Sequence, residues 1–574
     1  MNSSREAPSL DAPPAWDREV DLLVIGAGCG GLSAALFGRL ARLETLLCEK
    51  TSQVGGTTAS SGGIVWAPGS LHATAAGIRD PKESVQTYLS GEFGKFYDAE
   101  LTDAFLEAAP RAIEVLERLT DVHFGLVPWP DYHPDRAGGS PKGRTLESSR
   151  FDGRRLGAHF SKVRPPLPAL MLFGGLQVDK RKVDDFLNPF RSPRTLWRVL
   201  RTFLRYGLDR LRFPRGTELG AGNALVAALL HSLIARGGDV WLEAPLLQLV
   251  REGDRVTGAI VSVDGHRKAV RARRGVVLAT GGFPNSLPLR QELSADCPHE
   301  FTFGFEANVG EGITAARAVG ADLDRHVDSS GYWQPCSSLP QPDGTRRGVL
   351  YGYLDRGRPG VVAIDKSGKR FVNESNSYHD VGLALIRAGA GRGNRFYFVC
   401  DRAFVWHHGL GMIRPFRVSL ARYERMGYIT LADSIPELAR KIDVDAEGLT
   451  DTIRRHNEYA HTGSDLEFGK GSTAYNRLFG HARAQPNPNL APIVKPPFVA
   501  LRIFPGTLGT AVGLRANGHA QVLDRQGMPL AGLYACGNDM ASMMRGCYPA
   551  GGITLGPAIA FAYRAVMHAA STGE

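Results

Sequence analysis

The alternation of apolar and polar positions marks out a few elements clearly. Asp21-Leu22-Leu23-Val24-Ile25 is a short apolar run of the kind given by a parallel strand buried on both faces. Leu32 to Ala41 follows with a helical pattern, and Thr45 to Cys48 predicts a second buried strand. Far along the chain, Val276-Val277-Leu278-Ala279-Thr280 predicts another strand that ends in small residues. A different pattern occupies residues 191–215. Ser192 is placed to N-cap a helix with Pro193 at its first position. Arg194, Arg198, Arg201 and Arg205 then recur at three-four spacing on one face, while Leu196, Trp197, Val199, Leu200, Phe203, Leu204, Leu208 and Leu211 fill the rest. No apolar run reaches the ~20 residues that a membrane-spanning helix needs.

The connections between these elements carry chemistry. Gly26-Ala27-Gly28-Cys29-Gly30-Gly31 joins the first strand to its helix, with Gly26, Gly28 and Gly31 at the three glycine positions of GxGxxG. They serve the tight turn, the close approach of a pyrophosphate, and the packing of helix on strand. Glu49 ends the second strand, in position to bind ribose hydroxyls. Strand, glycines, helix, strand and acid in that order predict a Rossmann-like α/β dinucleotide-binding domain. A second small-residue loop follows at Gly55, Gly56, Thr57, Thr58, Ser61, Gly62 and Gly63. It is superfluous for NAD but suits a longer FAD lying across the domain. No second GxGxxG follows a strand, so a dedicated NAD(P)H domain is not expected.

Cys547-Tyr548-Pro549-Ala550-Gly551-Gly552-Ile553-Thr554-Leu555-Gly556 is the most specific stretch. It sets one phenol between a proline and a glycine pair, before a predicted helix. The Tyr548 hydroxyl and the Gly552 N–H would be two convergent donors at a helix N-terminus, suited to an oxygen that gains negative charge. Alone, the stretch reads equally as a glycine-rich turn with a packed tyrosine.

Composition narrows the setting. With 574 residues, two or more domains are expected. The mean hydropathy of −0.16 is that of a soluble globular protein. Seven cysteines without any CxxC pair argue against a zinc site or a disulfide framework and for a reducing compartment. Residues 1–18 lack an apolar signal segment and read as a disordered lead-in. The net charge of +10 is uneven: Arg191 to Arg215 holds eight arginines and one acid, or +7 by itself.

Together these motifs resemble the fumarate reductase/succinate dehydrogenase flavoprotein superfamily. That resemblance implies an FAD-binding domain at 19–335 and 505–574, carrying a basic insertion at 155–215. A smaller α+β catalytic cap at 336–504 would interrupt it. Lys369-Arg370-Phe371-Val372-Asn373-Glu374 resembles a motif found where such a cap meets the flavin. Ala279, Thr280 and Gly281 resemble the second flavoprotein fingerprint. Gly532 to Asn538, with Gly537 and Asn538 at its end, resembles the segment that closes the cofactor site. Lys50, Thr554 and Leu555 complete the cofactor residues implied, and the FAD would be non-covalent.

Within the superfamily, three tyrosine settings resemble the 3-ketosteroid Δ1-dehydrogenases from about Glu19 to Ala565. They are Tyr132 in Trp129-Pro130-Asp131-Tyr132-His133-Pro134, Tyr378 shortly after Arg370 to Glu374, and Tyr548. The long form, with its insertion, is similar to the cholest-4-en-3-one Δ1-dehydrogenases. By resemblance, Tyr548 and Gly552 would bind the carbonyl at carbon 3, and Tyr378 as tyrosinate would take a proton from carbon 2. Tyr132 would hydrogen-bond Tyr378, and the hydride would pass from carbon 1 to flavin N5. A phenol with pKa near ~10 makes a poor base unless its surroundings favour the anion. The sequence departs from that family at Ala550-Gly551, often Gly-Pro there, and at Arg545-Gly546-Cys547. Both departures bear on substrate range. His133 and His379 adjoin two of the tyrosines, and strand alternation would turn them away as structural residues.

Two other readings stay open. One is a superfamily reductase acting on an enone or a fumarate-like diacid, which would need arginines around the tyrosines. The other is a non-catalytic, membrane-associated flavoprotein electron carrier. The arginine face and the Trp, Phe and Leu positions of 191–215 match an interfacial helix, so a membrane surface is the expected partner there. A helix packed on protein is the alternative. Nucleic acid is not expected, because no recognised module accompanies the charge. The expected location is cytoplasmic, peripheral on the inner face of the cell membrane, with an external acceptor such as a quinone. Oligomeric state is not legible.

Overall fold

A computed structural model describes residues 15–167, 171–177, 185–186, 189–294, 301–350, 356–390 and 393–572. The predicted first strand runs Arg18–Ile25 and lies between Thr45–Cys48 and His266–Leu278, parallel to both. Asp239–Trp241 extends the parallel set beside Thr45–Cys48, and Pro529–Ala535 continues it beyond His266–Leu278. Register places Val24 opposite Val277 and Leu47, all fully buried, which is why these segments read as unbroken apolar runs. Helices Cys29–Leu40 and Leu555–Ser571 pack together on the sheet, so the two ends of the chain build one layer.

The second body is the expected α+β cap. Its sheet runs in the order Arg346–Leu350, Gly331–Pro340, Phe498–Thr510, Phe396–Asp401, Val361–Ile364. The expected cap boundaries at 336 and 504 fall inside two of these strands. Gly331–Pro340 and Phe498–Thr510 pair from Gly331–Thr510 to Cys336–Phe504, with one register shift between Tyr332 and Trp333. The connection between the bodies is therefore a two-stranded hydrogen-bonded ribbon. Helix Tyr378–Arg387 packs on Gly331–Pro340, which brings its N-terminus to the junction.

Two expectations are corrected at the edges. Of the lead-in, residues 1–14 lie outside the described residues. Trp16, however, packs on Val250, Ile260 and Ala269, and the Asp17 carboxylate accepts from Ala269 N at 2.8 Å. Apolar burial and that hydrogen bond order the chain before the first strand. Arg215 is buried, with its guanidinium 4.7 Å from the Phe160 ring centroid and donating to Asn223. It leaves the basic surface that the sequence placed there.

The helix at Pro193–Arg210 forms as its caps predict, with Thr195 N donating to Ser192 Oγ at 3.1 Å. Its inward line is Thr195, Val199 and Asp209, while Trp197, Leu200, Leu204, Leu208 and Leu211 are exposed. No described helix is long and apolar enough to cross a membrane. Among the described residues no group of side chains could hold a metal ion, and no disulfide joins the six described cysteines.

Candidate active site

The glycine-rich turn behaves as its three roles require. A Cβ on Gly31 would lie 1.7 Å from Gly26 O, and one on Gly26 would lie 2.3 Å from Ala279 O, so these two allow close packing. A Cβ on Gly28 would meet only Thr58 Oγ1, at 3.9 Å. Gly28 therefore faces space, and Gly56 faces the same space with Gly28 Cα 3.8 Å from its Cβ position. That cradle fits the pyrophosphate of a dinucleotide. The Glu49 carboxylate accepts from Ala27 N at 2.9 Å and from Thr51 N and Oγ1 at 3.0 and 2.9 Å. A carboxylate accepts about four hydrogen bonds, so capacity remains for a ribose hydroxyl.

The other cofactor residues divide into two groups. Thr58 accepts from Cys29 N at 3.1 Å, and Thr57 accepts from Phe305 N and the Asn308 amide, at 2.8 and 3.2 Å. Thr57 and Thr58 thus sit on the cradle. Lys50 forms an ion pair with Glu311. Ser61 accepts from Gly63 N at 3.2 Å; Gly62 is exposed, and Gly63 abuts the backbone of Ala221 and Gly222. The Gly62-Gly63 end of the loop packs against a helix start. At the far end, Thr280 Oγ1 and Gly282 N donate to the buried Asp539 carboxylate, both at 2.9 Å. Ala279 packs beneath Gly26 and Gly31, and Gly281 abuts the Asn308 amide. Burial raises the Asp539 pKa against those hydrogen bonds. Sequence reasoning passed over Asp539, although it directly follows Gly537-Asn538. A narrow cleft lies between Gly537-Asn538, Ser542-Met543 and Ile553-Thr554, and Tyr332 borders it. Leu555 opens the helix beside it, three residues past Gly552.

The three tyrosines come together from different elements. Tyr132 and Tyr548 stack with centroids 5.5 Å apart and planes 9° apart. Tyr378 meets both edge-on, at 5.7 Å from Tyr132 and 5.0 Å from Tyr548. Tyr332 joins edge-on at 5.3 Å from Tyr548, and Tyr475 lies 4.7 Å from Tyr132. No motif marks Tyr332 or Tyr475, so the sequence did not single them out. Tyr332 donates to Ser542 Oγ, and burial raises its pKa.

Backbone bonds beside each tyrosine hold this arrangement. Tyr132 N donates to Pro549 O at 2.8 Å, and the buried Tyr88 hydroxyl donates to the same carbonyl at 2.7 Å. His379 Nδ1 accepts from Trp333 N at 3.1 Å, and its Nε2 lies 3.0 Å from Gly546 O, so Nε2 carries the proton. Burial lowers the His379 pKa to about 4 and keeps it neutral. The His133 ring lies between Glu92, at 2.9 Å, and Asp380, at 3.1 Å. Each histidine is held by its own hydrogen bonds, and the strand alternation expected to turn both aside is absent. Tyr378 opens a helix and Tyr132 lies in a loop, and specific bonds fix their neighbours.

Gly552 requires glycine for two reasons. Its φ is +93°, and a Cβ would lie 2.6 Å from Trp66 N. Its carbonyl accepts from Trp66 N and Gly556 N, at 3.1 and 3.0 Å. At Gly551, by contrast, a Cβ would sit 3.6 Å from Tyr132 Oη, in ordinary contact. The Tyr132 hydroxyl therefore lies beside Gly551. Arg545, one of the departures from the family pattern, turns away into ion pairs with Asp98 and Asp324.

The Arg370 to Glu374 motif is buried within the cap. Arg370 pairs with Glu374 and Asp465 at 2.9 Å, and Lys470 lies 3.2 Å from Glu374. Arg370 and Lys470 outweigh the effect of burial on Glu374 and hold its pKa at about 2. The network anchors the segment that leads into Tyr378.

The FAD binding domain family matches residues 21–555. The chain is 36% identical to 4-oxocyclohex-2-ene-1-carboxylate 5-dehydrogenase of Sinomonas cyclohexanicum, over 95% of this chain and 92% of that protein. It is 33% identical to the 3-oxosteroid 1-dehydrogenase of Mycobacterium tuberculosis, over 96% and 98% of the two chains. Among solved structures, it superposes with a TM-score of 0.88 on 3-ketosteroid Δ1-dehydrogenase from Sterolibacterium denitrificans in complex with 1,4-androstadiene-3,17-dione. That pair shares 32% identity over 97% of this chain and 100% of the other.

Proposed function

Because the chain belongs to the FAD binding domain family and is an FAD-dependent dehydrogenase of cyclic ketones, we propose that its substrate is a 3-ketosteroid, desaturated between carbons 1 and 2. The packing of Tyr132, Tyr378 and Tyr548 on one another, with the Tyr132 hydroxyl beside Gly551, carries this reading. The Tyr548 hydroxyl and Gly552 N–H bind the carbonyl oxygen at carbon 3 and stabilise the enolate as carbon 2 loses its proton. Tyr378, as the tyrosinate, takes that proton and becomes a neutral phenol, and Tyr132 supports the phenol–phenolate pair that precedes the transfer. FAD, when bound, supplies the acceptor for the hydride leaving carbon 1. The buried aromatic walls exclude water, which strengthens the donor contacts to the oxyanion.

Charge pairing supports a neutral ketone. Arg136 is paired with Glu92, Arg144 with Asp80 and Asp131, and Arg545 with Asp98 and Asp324. These arginines are already neutralised by protein carboxylates and give a diacid no clamp. A second reading, a 4-oxocyclohexane- or 4-oxocyclohexene-carboxylate, has Arg356 in its favour. That buried guanidinium donates from Nη1 to Asn376 O at 2.5 Å, and its Nη2 has no hydrogen-bond partner. Asn376 lies two residues before Tyr378.

The exposed apolar line of Pro193–Arg210, flanked by arginines, supports docking on an anionic lipid surface from which a sterol-derived ketone could enter. A membrane quinone would then be the matching external acceptor. The deciding experiment is anaerobic reduction of the bound flavin by androst-4-ene-3,17-dione, cholest-4-en-3-one, 4-oxocyclohexanecarboxylate and succinate. Bleaching by the steroids is expected. Bleaching by the carboxylate alone, lost in Arg356→Gln, would replace the steroid reading with the second one.

A further inference from the structure

The His133 ring spans the two bodies of the protein. On one side, Nδ1 meets Glu92, at the end of helix Lys82–Phe93 in the FAD-binding body. On the other, Nε2 meets Asp380, in the first turn of the cap helix that begins with Tyr378. Backbone bonds prolong the bridge in both directions. His133 N donates to Tyr88 Oη at 3.3 Å, and Asp380 N donates to the N-cap Ser377 Oγ at 3.1 Å.

This is the third side of a triangle. Tyr132 N to Pro549 O ties the Tyr132 loop to the Tyr548 loop, and His379 to Gly546 O ties the Tyr378 helix to the Tyr548 loop. The His133–Asp380 contact is the side that joins the Tyr132 loop to the Tyr378 helix, beside the ring contact of the two tyrosines. We propose that His133 is a positioning residue, a doubly protonated bridge from Glu92 to Asp380 that sets Tyr132 against Tyr378 across the domain junction.

The chemistry of the bridge requires both ring protons, because each nitrogen faces a carboxylate. Burial opposes the charge, but hydrogen bonds to Asp380 and Glu92 outweigh it and raise His133 to about 10. The groups around the ring are Glu92, Asp380, Arg136, the Tyr88 hydroxyl, and beyond them His379 and Cys547. Two carboxylates against one imidazolium and one guanidinium give a formal sum of zero. The cluster therefore acts on the tyrosines by fixing their geometry, since it adds no net charge that would favour a tyrosinate.

The proposal rests on the reading of Tyr378 as the base, and two readouts on the FAD-loaded enzyme separate them. The variants are His133→Gln, Asp380→Asn, their double and Glu92→Gln. Amide hydrogen exchange over residues 378–382 should quicken about tenfold in the first three. Flavin reduction by the ketone that the wild type accepts should slow by about 10–10² in each single variant, as ångström-scale misplacement does. The double should be no slower than the worse single, with FAD content retained. Unchanged exchange, unchanged reduction, or losses that multiply in the double would each overturn the bridge. A wild-type flavin reduced by no cyclic ketone would instead sink the tyrosine assignment, with exchange still judging the bridge. Should His133→Gln fail to fold, Asp380→Asn carries both readouts and Glu92→Gln the reduction readout.

Discussion

The ring of Tyr132 lies parallel to that of Tyr548, with planes 9° apart and centroids 5.5 Å apart. Offset stacking at this separation is favourable. It leaves the two phenols side by side, with Tyr378 edge-on to both.

Loss of single hydroxyls should therefore separate the roles. Tyr548→Phe removes the proposed oxyanion donor and should lower turnover by about 10²–10³. Tyr378→Phe removes the proposed base and should cost about 10²–10⁴. Tyr132→Phe keeps the stack and should cost about tenfold. Single-turnover flavin reduction at full FAD occupancy measures all three, and a normal rate in either of the first two refutes its role.

The two glycines after Ala550 should respond differently to the same change. Gly552→Ala forces φ of +93° on an L side chain and pushes Cβ against the strand carrying Trp66. A loss of at least about 2–3 kcal/mol is expected in urea unfolding. Gly551→Ala meets only ordinary contacts and should fold normally, its added methyl 3.6 Å from Tyr132 Oη altering KM.

Acid should weaken the fold through His379. Burial lowers its folded pKa to about 4, below the ordinary histidine value of 6.5. As pH falls, the unfolded chain binds the proton first, so stability is full above about 6.5 and drains away through 4. The ceiling is about 3 kcal/mol. Buried His456, also lowered to about 4, adds a decline of the same sign. Glutamine supplies both a donor and an acceptor, so His379→Gln should flatten, without abolishing, the loss between pH 7 and 4.5. An unaltered slope would remove His379 from the account.

Cofactor affinity should depend on Glu49. Glu49→Ala leaves Ala27 N and Thr51 N without their acceptor as well as deleting the proposed ribose contact. FAD should bind about 10–100-fold more weakly, since each buried unpaired donor costs about 1–3 kcal/mol. Fluorescence titration of the apoprotein reads this directly, and unchanged affinity would relocate the ribose.

Lipid binding should follow the exposed line of the basic helix. Trp197→Glu with Leu204→Glu should abolish sedimentation with phosphatidylserine vesicles and leave steady-state oxidation of a soluble ketosteroid unchanged. High salt should weaken the wild-type interaction. Retained sedimentation in the double variant would make this face a protein contact.

The FAD region and the basic helix were legible in the sequence because their determinants are local. Strand, GxGxxG turn, helix and Glu49 are contiguous, and the geometry of each follows from its own residues. Ser192 and Pro193 likewise announced the helix they cap. Three tyrosine-bearing segments could also be named from sequence, but not their mutual packing. Tertiary structure decided that Tyr132 stacks on Tyr548, that Tyr332 and Tyr475 complete the cluster, and that Asp539 ties Thr280 to the C-terminal segment. It also made His133 a charged bridge and His379 a neutral one. These outcomes depend on burial and on partners hundreds of residues away, brought together only when the sheet, the cap ribbon and the last helix pack against one another.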